Sequence, residues 1–199
     1  MSWPDENTAL GGGTADEPNF SIITSQDQGE SEITGSPAAE ICNQGISYPV
    51  GSDFIVIAVG ERGTTNLEPF YAVTRFNANG NDLQADAVNS GTISLTNPSL
   101  IGSSSIESVA YLGESGSVML LTTDVEGGAD DNFDFLLVRL DAEFNEIWQF
   151  RFGGELNEKG SKVIQARDGG FVFLGTYTLR NAEMAALIKV TPDGELKNY

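Results

Sequence analysis

The sequence predicts an all-β protein built from antiparallel hairpins, and three observations support this prediction. Apolar residues come in short runs rich in β-branched and aromatic side chains, such as FIVIAV at 54–59 and FDFLLVRL at 133–140. Gly, Asn, Asp and Ser interrupt these runs at turn-forming positions. No segment keeps the i, i+3, i+4 apolar spacing of an amphipathic helix for three turns.

Ten strand-like runs follow one another from about Tyr48 onward. They cover residues 54–59, 70–76, 92–96, 108–112, 117–122, 133–140, 146–152, 162–166, 171–177 and 185–190. The segment RNAEMAALIKV, residues 180–190, has a helix-forming composition, but it lies between strand-like runs. We therefore expect a strand there as well.

Tight turns are expected between neighbouring strands. The segments NANGN (77–81), ESGS (114–117), RDGG (167–170) and TPDGE (191–195) each place Gly or Asn where a hairpin needs a positive φ. In the last of these, Pro192 fixes its own φ and Gly194 takes the left-handed position. Such hairpins join strands that are neighbours in the sheet, so a meander is expected.

A similar order of strands and turns recurs along the chain. Arg75, Arg139 and Lys189 each take the next-to-last position of a strand-like run that leads through a polar turn into another strand. They are 64 and 50 positions apart. A period of roughly 50–60 residues is typical of a four-stranded propeller blade. The sequence thus predicts approximate units at residues 46–104, 105–159 and 160–199.

Residues 1–45 are expected to form an acidic leader, either flexible or bound to a partner. They are rich in Gly, Ser, Thr, Asn, Asp, Glu and Pro, and the first 61 residues contain no lysine or arginine. Such a composition buries too little apolar surface to offset the entropy of ordering. The folded domain is therefore expected to cover residues 46–199.

The charge and the missing residue types exclude several functions. A net charge of −19 argues against nucleic acid and anionic membrane surfaces as partners. The chain has no histidine, which removes Ser-His-Asp and Cys-His catalysis and imidazole metal sites. Cys42 is the only cysteine, so it is expected to be a buried or half-buried thiol. We expect no enzyme, no catalytic residue and no organic cofactor.

The acidic segment DVEGGADDNFD, residues 124–134, is the candidate metal site. Its carboxylates are Asp124, Glu126, Asp130, Asp131 and Asp134. Flexible acidic loops supply the oxygen ligands that Ca²⁺ prefers, although the spacing does not match an EF-hand. Acidic loops of acidic proteins are often only solvated. Calcium and a solvated loop both remain open.

Residues 133–197 resemble the β-propeller repeats that are common in extracytoplasmic proteins of Bacteroidota and related bacteria. In those repeats a Trp strand leads to a Phe-Gly-Gly turn, followed by an Asp-Gly-Gly hairpin and a Lys…Asp-Gly hairpin. The matching residues here are Trp148, Phe152, Gly153, Gly154, Asp168, Gly169, Gly170, Gly175, Lys189, Asp193 and Gly194. Over residues 45–125 the match is loose, since ESGS stands in place of the Asp-Gly-Gly turn.

The resemblance implies a propeller-like fold and a secreted, periplasmic or cell-surface location. It implies structural roles for Trp148, packed between neighbouring sheets, and for Phe152, Gly153, Gly154, Gly169, Gly170 and Gly194. About three units are fewer than the four to eight blades of closed propellers. A partial propeller, completion by another chain and a β-sandwich are therefore alternatives.

The expected function is non-enzymatic binding, adhesion or assembly, with a protein or a glycan as the partner. One alternative is a structural subunit that polymerises through open blade edges. Another is the non-catalytic part of a secreted carbohydrate-active enzyme. A fold alone does not specify which of these applies.

Overall fold

The computed structural model confirms the all-β class. It describes residues 9–12, 20–23, 30–32, 40–63, 68–76, 89–92, 104–124, 132–180 and 182–196. Within these ranges the regular structure is β-strand apart from one 3-10 turn, Gly113–Ser115. No helix in the described ranges is long and apolar enough to cross a membrane. The predicted turn at 77–81 and most of the run at 92–96 lie outside them.

Fourteen strands of the described residues form four antiparallel sheets. Sheet A contains β1 (Ala9–Gly12), β2 (Phe20–Ile23) and β3 (Glu30–Glu32); sheet B contains β4 (Glu40–Val50), β5 (Asp53–Arg62), β6 (Glu68–Phe76) and β7 (Asn89–Thr92). Sheet C contains β8 (Ser104–Tyr111), β9 (Ser117–Asp124), β10 (Phe133–Leu140) and β11 (Glu146–Phe152). Sheet D contains β12 (Lys159–Gln165), β13 (Phe171–Leu179) and β14 (Ala182–Val190). Strand β4 thus runs across the boundary expected between residues 45 and 46.

Sheets B, C and D are meanders, because the strand order in each follows the order of the chain. Arg75, Arg139 and Lys189 lie at the next-to-last positions of β6, β10 and β14, as the sequence suggests. One apolar cluster joins sheet B to sheet C, and a second joins sheet C to sheet D. This succession of packed meanders is consistent with a propeller-like or a sandwich arrangement.

Sheet C is buried on both faces. Leu121 and Leu136 belong to the cluster shared with sheet B, whereas their neighbours Leu120 and Leu137 belong to the cluster shared with sheet D. Successive side chains of a strand point to opposite faces, so both sets are apolar. This explains why β9 and β10 have continuous apolar runs instead of the alternation of a half-buried strand.

The first strands of sheets B, C and D share an irregularity that the sequence does not show. The register shifts by one residue at Asn43 in β4, at Glu107 in β8 and at Ser161 in β12. Side chains from the preceding sheet then satisfy backbone donors near the bulges. The N–H of Val109 donates to Oε1 of Gln44 at 2.9 Å, and that of Val163 donates to Oγ of Ser108 at 3.1 Å.

Three tight turns share one hydrogen-bond pattern. In the turns 141–145, 166–170 and 191–195, the N–H of the first residue donates to the C=O of the fifth at 2.8 or 2.9 Å. The fourth residue has a positive φ, which is 83° at Gly169 and 82° at Gly194, as expected for these glycines. In the remaining turn this position is Phe144, with φ of 65°. Its ring stacks on Tyr71 of sheet B at 4.2 Å, and this contact offsets the backbone strain.

Trp148 lies between sheet C and the last turn of sheet D. Its indole Nε1–H donates to the C=O of Pro192 at 3.2 Å, and its ring centroid lies 5.9 Å from that of Phe171. A Cβ added at Gly194 would lie 2.8 Å from Cε3 of this indole. The glycine therefore provides both the left-handed backbone and the space for the tryptophan.

Replacing Gly194 by Ala is expected to lower the free energy of unfolding by about 2–5 kcal/mol, measured by denaturant titration. The left-handed backbone costs about 1–2 kcal/mol, and overpacking against Trp148 adds about 1–3 kcal/mol. Gly51→Ala is the matched control, because Gly51 has φ of 65° but nothing within 4 Å of the added Cβ. Equal losses in the two variants would show that the contact with Trp148 contributes no stability.

Candidate functional site

A cleft of about 460 Å³ lies at one end of sheets C and D. Its walls come from the starts of β8, β10, β12 and β14 and from the ends of β5, β9 and β13. These segments meet because alternate strands of a meander begin at the same end of the sheet. The charged residues in the lining are Glu61, Glu107, Glu158, Lys159 and Glu183.

A buried pair of carboxyl groups, Asp134 and Glu158, is the most unusual feature beside this cleft. Each residue is 1% exposed. Asp134 accepts a hydrogen bond from Arg151, and Glu158 accepts one from the N–H of Gly154 at 3.0 Å. One oxygen of each carboxyl group, Oδ1 of Asp134 and Oε1 of Glu158, is buried without a donor. Because a second ionised carboxylate beside Asp134 would be costly in this buried position, the environment favours a proton on Glu158.

The surroundings favour this proton. Burial raises the pKa of Glu158, and the contact with Asp134 raises it further, while the hydrogen bond from Gly154 opposes the rise. Burial also raises the pKa of Glu107 in the cleft wall, against the lowering effects of the Thr122 hydroxyl and the charge of Lys159. The cleft therefore holds carboxyl groups that take up protons at a higher pH than usual.

The two glycines of the Phe-Gly-Gly turn make room for neighbouring side chains, Gly153 for Asp134 and Gly154 for Tyr177. A Cβ added at Gly153 would overlap the carboxyl group of Asp134, and one added at Gly154 would lie 2.9 Å from the hydroxyl of Tyr177. Phe152, which precedes them, packs near Phe135 and Tyr177 with ring centroids 6.4 and 5.9 Å away. The turn thus connects the carboxyl pair to the core between sheets C and D.

The proposed calcium ligands are only partly described. Asp124 and Asp134 belong to the described residues, whereas Glu126, Asp130 and Asp131 lie outside them. Asp134 of β10 pairs with Thr123 of β9, so the side chains of these two residues lie on the same face of sheet C. Asp124 follows Thr123 in β9 and therefore points to the opposite face. In the described ranges, no three acidic or cysteine side chains are grouped to hold a metal ion. Calcium binding by the loop stays a prediction.

The carboxyl pair does not fit glycoside hydrolysis. That chemistry uses two carboxyl groups that flank a sugar in an open site, whereas Asp134 and Glu158 are each 1% exposed. The thiol of Cys42 is not activated either, because burial raises its pKa, with hydrogen bonds to Val59 and Gln44 opposing the rise.

The outer face of sheet D, the face turned away from sheet C, is a second candidate. Leu174 and Leu187 form a cross-strand pair there and are 40% and 73% exposed. In sheet C the corresponding pair after the bulge is Leu120 and Leu137, and both are fully buried beneath sheet D. Ile164 of β12 is also exposed on the outer face. Positions of the same kind are therefore covered in sheet C and open in sheet D.

Strand β14 forms the edge of sheet D. In the described part of the chain it pairs with β13, and its remaining bridge joins Val190 to Leu196. Sheets B and C each have a fourth strand on the corresponding side, namely β7 and β11. In the described residues, the outer face of sheet D is therefore apolar and exposed.

The charge near sheet D differs from that of the rest of the chain. Residues 159–199 carry six basic and four acidic side chains, although the whole chain has a net charge of −19. Counting charge by segment would reveal this bias from the sequence. No sequence signal groups Asp134 with Glu158, because the two residues are far apart in the chain and only Asp134 lies in a segment that the sequence singles out.

Comparison of the chain with protein-family models finds no match, and comparison with curated proteins finds none either. The function is therefore argued from the geometry of the cleft and of sheet D.

The raised pKa of Glu158 predicts a specific pH dependence. Folding raises the pKa of Glu158 above its ordinary 4.5, so the folded state holds this proton more tightly than the unfolded state. The free energy of unfolding should therefore fall as the pH rises through the folded-state pKa. Glu158→Gln, whose amide donates to Asp134 at every pH, should remove this fall and stabilise the protein by about 1 kcal/mol at neutral pH.

Urea unfolding between pH 4.5 and 8 measures this effect. Glu155→Gln is the control, because it removes one negative charge from an exposed position in the same turn. It should keep the pH dependence of the unchanged protein. Parallel pH profiles for Glu158→Gln and the unchanged protein would contradict the raised pKa of Glu158.

Proposed function

We propose that the chain is a non-enzymatic binding and assembly module whose copies associate through sheet D. The observation that carries this proposal is the exposure of Leu174 and Leu187, whose counterparts in sheet C are fully buried. Burying a leucine side chain contributes about 1.5–3 kcal/mol, so covering this face is favourable. Contiguous apolar surface of this kind is a common mark of protein–protein contacts.

A second copy of the chain is the proposed partner, and charge supports association through this sheet. Two copies with a net charge of −19 repel each other over most of their surface. The segment 159–199 is weakly positive by residue count, so contact through sheet D brings together the least repulsive parts of two copies. Strong added salt should affect such a contact less than it would affect a charged interface.

The extracytoplasmic location and the likeness to propeller repeats are also part of this proposal. The resemblance of residues 133–197 to extracytoplasmic propeller repeats supports a secreted, periplasmic or cell-surface module. The poor fit of Asp134 and Glu158 to glycoside hydrolysis supports a role in binding over catalysis. Association through sheet D is the form of assembly that the geometry favours.

Leu187→Lys is expected to weaken self-association at least tenfold, measured by light scattering over a range of concentrations. The change places a charge where the apolar side chain would be buried, and a loss of about 1.4 kcal/mol already gives a factor of ten. Leu179→Lys is the control: Leu179 is 49% exposed but lies at the end of β13, with its side chain on the opposite face. A chain that is monomeric at every concentration would contradict the proposal.

A further inference from the structure

We infer that the cleft at the end of sheets C and D binds a linear polyamine, a chain of methylene groups that carries two or more ammonium groups. The cleft volume of about 460 Å³ lies in the range of small-molecule sites. Neither Leu174 nor Leu187 belongs to its lining, so this inference goes beyond the proposed association through sheet D and does not depend on it.

The charged side chains of the described lining favour a cation. Four of them are glutamates, and they face one basic side chain, that of Lys159. A cleft lined mainly by one sign of charge concentrates ions of the opposite sign. The net charge of −19 attracts cations to the whole molecule as well. The ligand of this cleft is therefore expected to carry positive charge.

Glu107 takes a position that a hydrogen-bond donor occupies in the neighbouring sheet. Asn43 and Glu107 are the residues that the register shifts of β4 and β8 leave unpaired. Nδ2 of Asn43 donates across to sheet C, to Oγ of Ser105 at 2.6 Å and to the C=O of Ile106 at 3.1 Å. An ionised carboxyl group only accepts hydrogen bonds, so Glu107 cannot make such contacts with sheet D. An ammonium group bound beside Glu107 would supply the missing donor.

The surroundings of Glu107 fit a bound cation. Gly160 of β12 leaves space for this side chain, because an added Cβ would lie 3.2 Å from Cγ of Glu107. Burial raises the pKa of Glu107, and the charge of Glu61 raises it further. Both effects disfavour the ionised carboxyl group, and a cation beside it would offset them.

Glu158 supplies a deeper acceptor in the same cleft. Its side chain belongs to the lining and is 1% exposed, and its Oε1 has no hydrogen-bond partner. Leaving a buried acceptor unsatisfied costs free energy, and an ammonium N–H would satisfy it. The N–H of Gly154 already holds the carboxyl group from its other oxygen, Oε2, at 3.0 Å. This unpartnered acceptor points to a ligand that donates hydrogen bonds.

The spacing of the carboxyl groups suits a polyamine better than a metal ion or a sugar. Calcium needs six to eight oxygen ligands at about 2.3–2.6 Å, and in the described ranges no three acidic side chains are grouped to hold a metal ion. Glu61, Glu107 and Glu183 come from sheets B, C and D, and packed sheets lie about 10 Å apart. A chain with several ammonium groups reaches separated carboxylates, whereas a neutral sugar leaves their charge without compensation.

Calorimetric titration of the full chain with spermidine, at low salt, tests this inference. Glu107→Gln keeps the shape of the side chain and removes its charge. This variant should weaken binding at least tenfold, which corresponds to about 1.4 kcal/mol. Glu114→Gln is the matched control, because it removes the same charge from an exposed position in the turn between β8 and β9, at the other end of sheet C. It should bind spermidine as the unchanged protein does.

A second variant covers the case in which Glu107→Gln does not fold, which circular dichroism would show. Glu183→Gln changes an exposed residue of the cleft lining, so it should fold and should bind spermidine more weakly than Glu114→Gln. Equal affinities of the cleft variants and Glu114→Gln would overturn the inference, because binding would then reflect the overall charge alone.

Three further probes separate the polyamine from other ligands. Calcium chloride tests a metal ion, cellobiose tests a sugar and trilysine tests a basic peptide, each titrated under the same conditions. If one of them binds and spermidine does not, the cleft takes another class of ligand and the inference is wrong. Binding of spermidine that Glu107→Gln weakens and Glu114→Gln leaves unchanged supports it, whatever the mass of the protein in solution.

Discussion

The burial of sheet C on both faces is the constraint on which the other features depend. Because β9 and β10 have no exposed face, their side chains must be apolar at successive positions, and the sheets on either side must match them. Side chains of the preceding sheet also satisfy backbone donors near the bulges of the first strands. Gln44 and Ser108 do so by accepting hydrogen bonds from the next sheet.

The carboxyl pair is a consequence of the same burial at the end of the core. Two ionised carboxylates in this position would be costly to bury. The hydrogen bond from Arg151 to Asp134 offsets part of this cost, and the raised pKa of Glu158 favours its uncharged form. Gly153 leaves the space that the carboxyl group of Asp134 occupies. The buried carboxyl groups therefore lie where β10 meets the turn before sheet D.

Sheet D repeats the pattern of sheet C without a layer to cover it. The pair Leu174–Leu187 and the pair Leu120–Leu137 follow bulges at corresponding places, yet only the latter is buried. This difference in exposure between similar positions is the observation on which the proposed association through sheet D rests.

The sequence by itself determined the strands and most of the turns, since both depend on residues that are neighbours in the chain. The period of apolar residues predicts β13 and β14, including the segment with a helix-forming composition, and Gly169 and Gly194 take the expected left-handed conformation. The tertiary structure alone decided that Phe144 adopts this conformation as well, because its stacking on Tyr71 offsets the strain. It also decided that Asp134 meets Glu158 and that some leucines are covered while similar ones are exposed. These outcomes depend on which sheets lie next to each other in space, and no local pattern of residues encodes that.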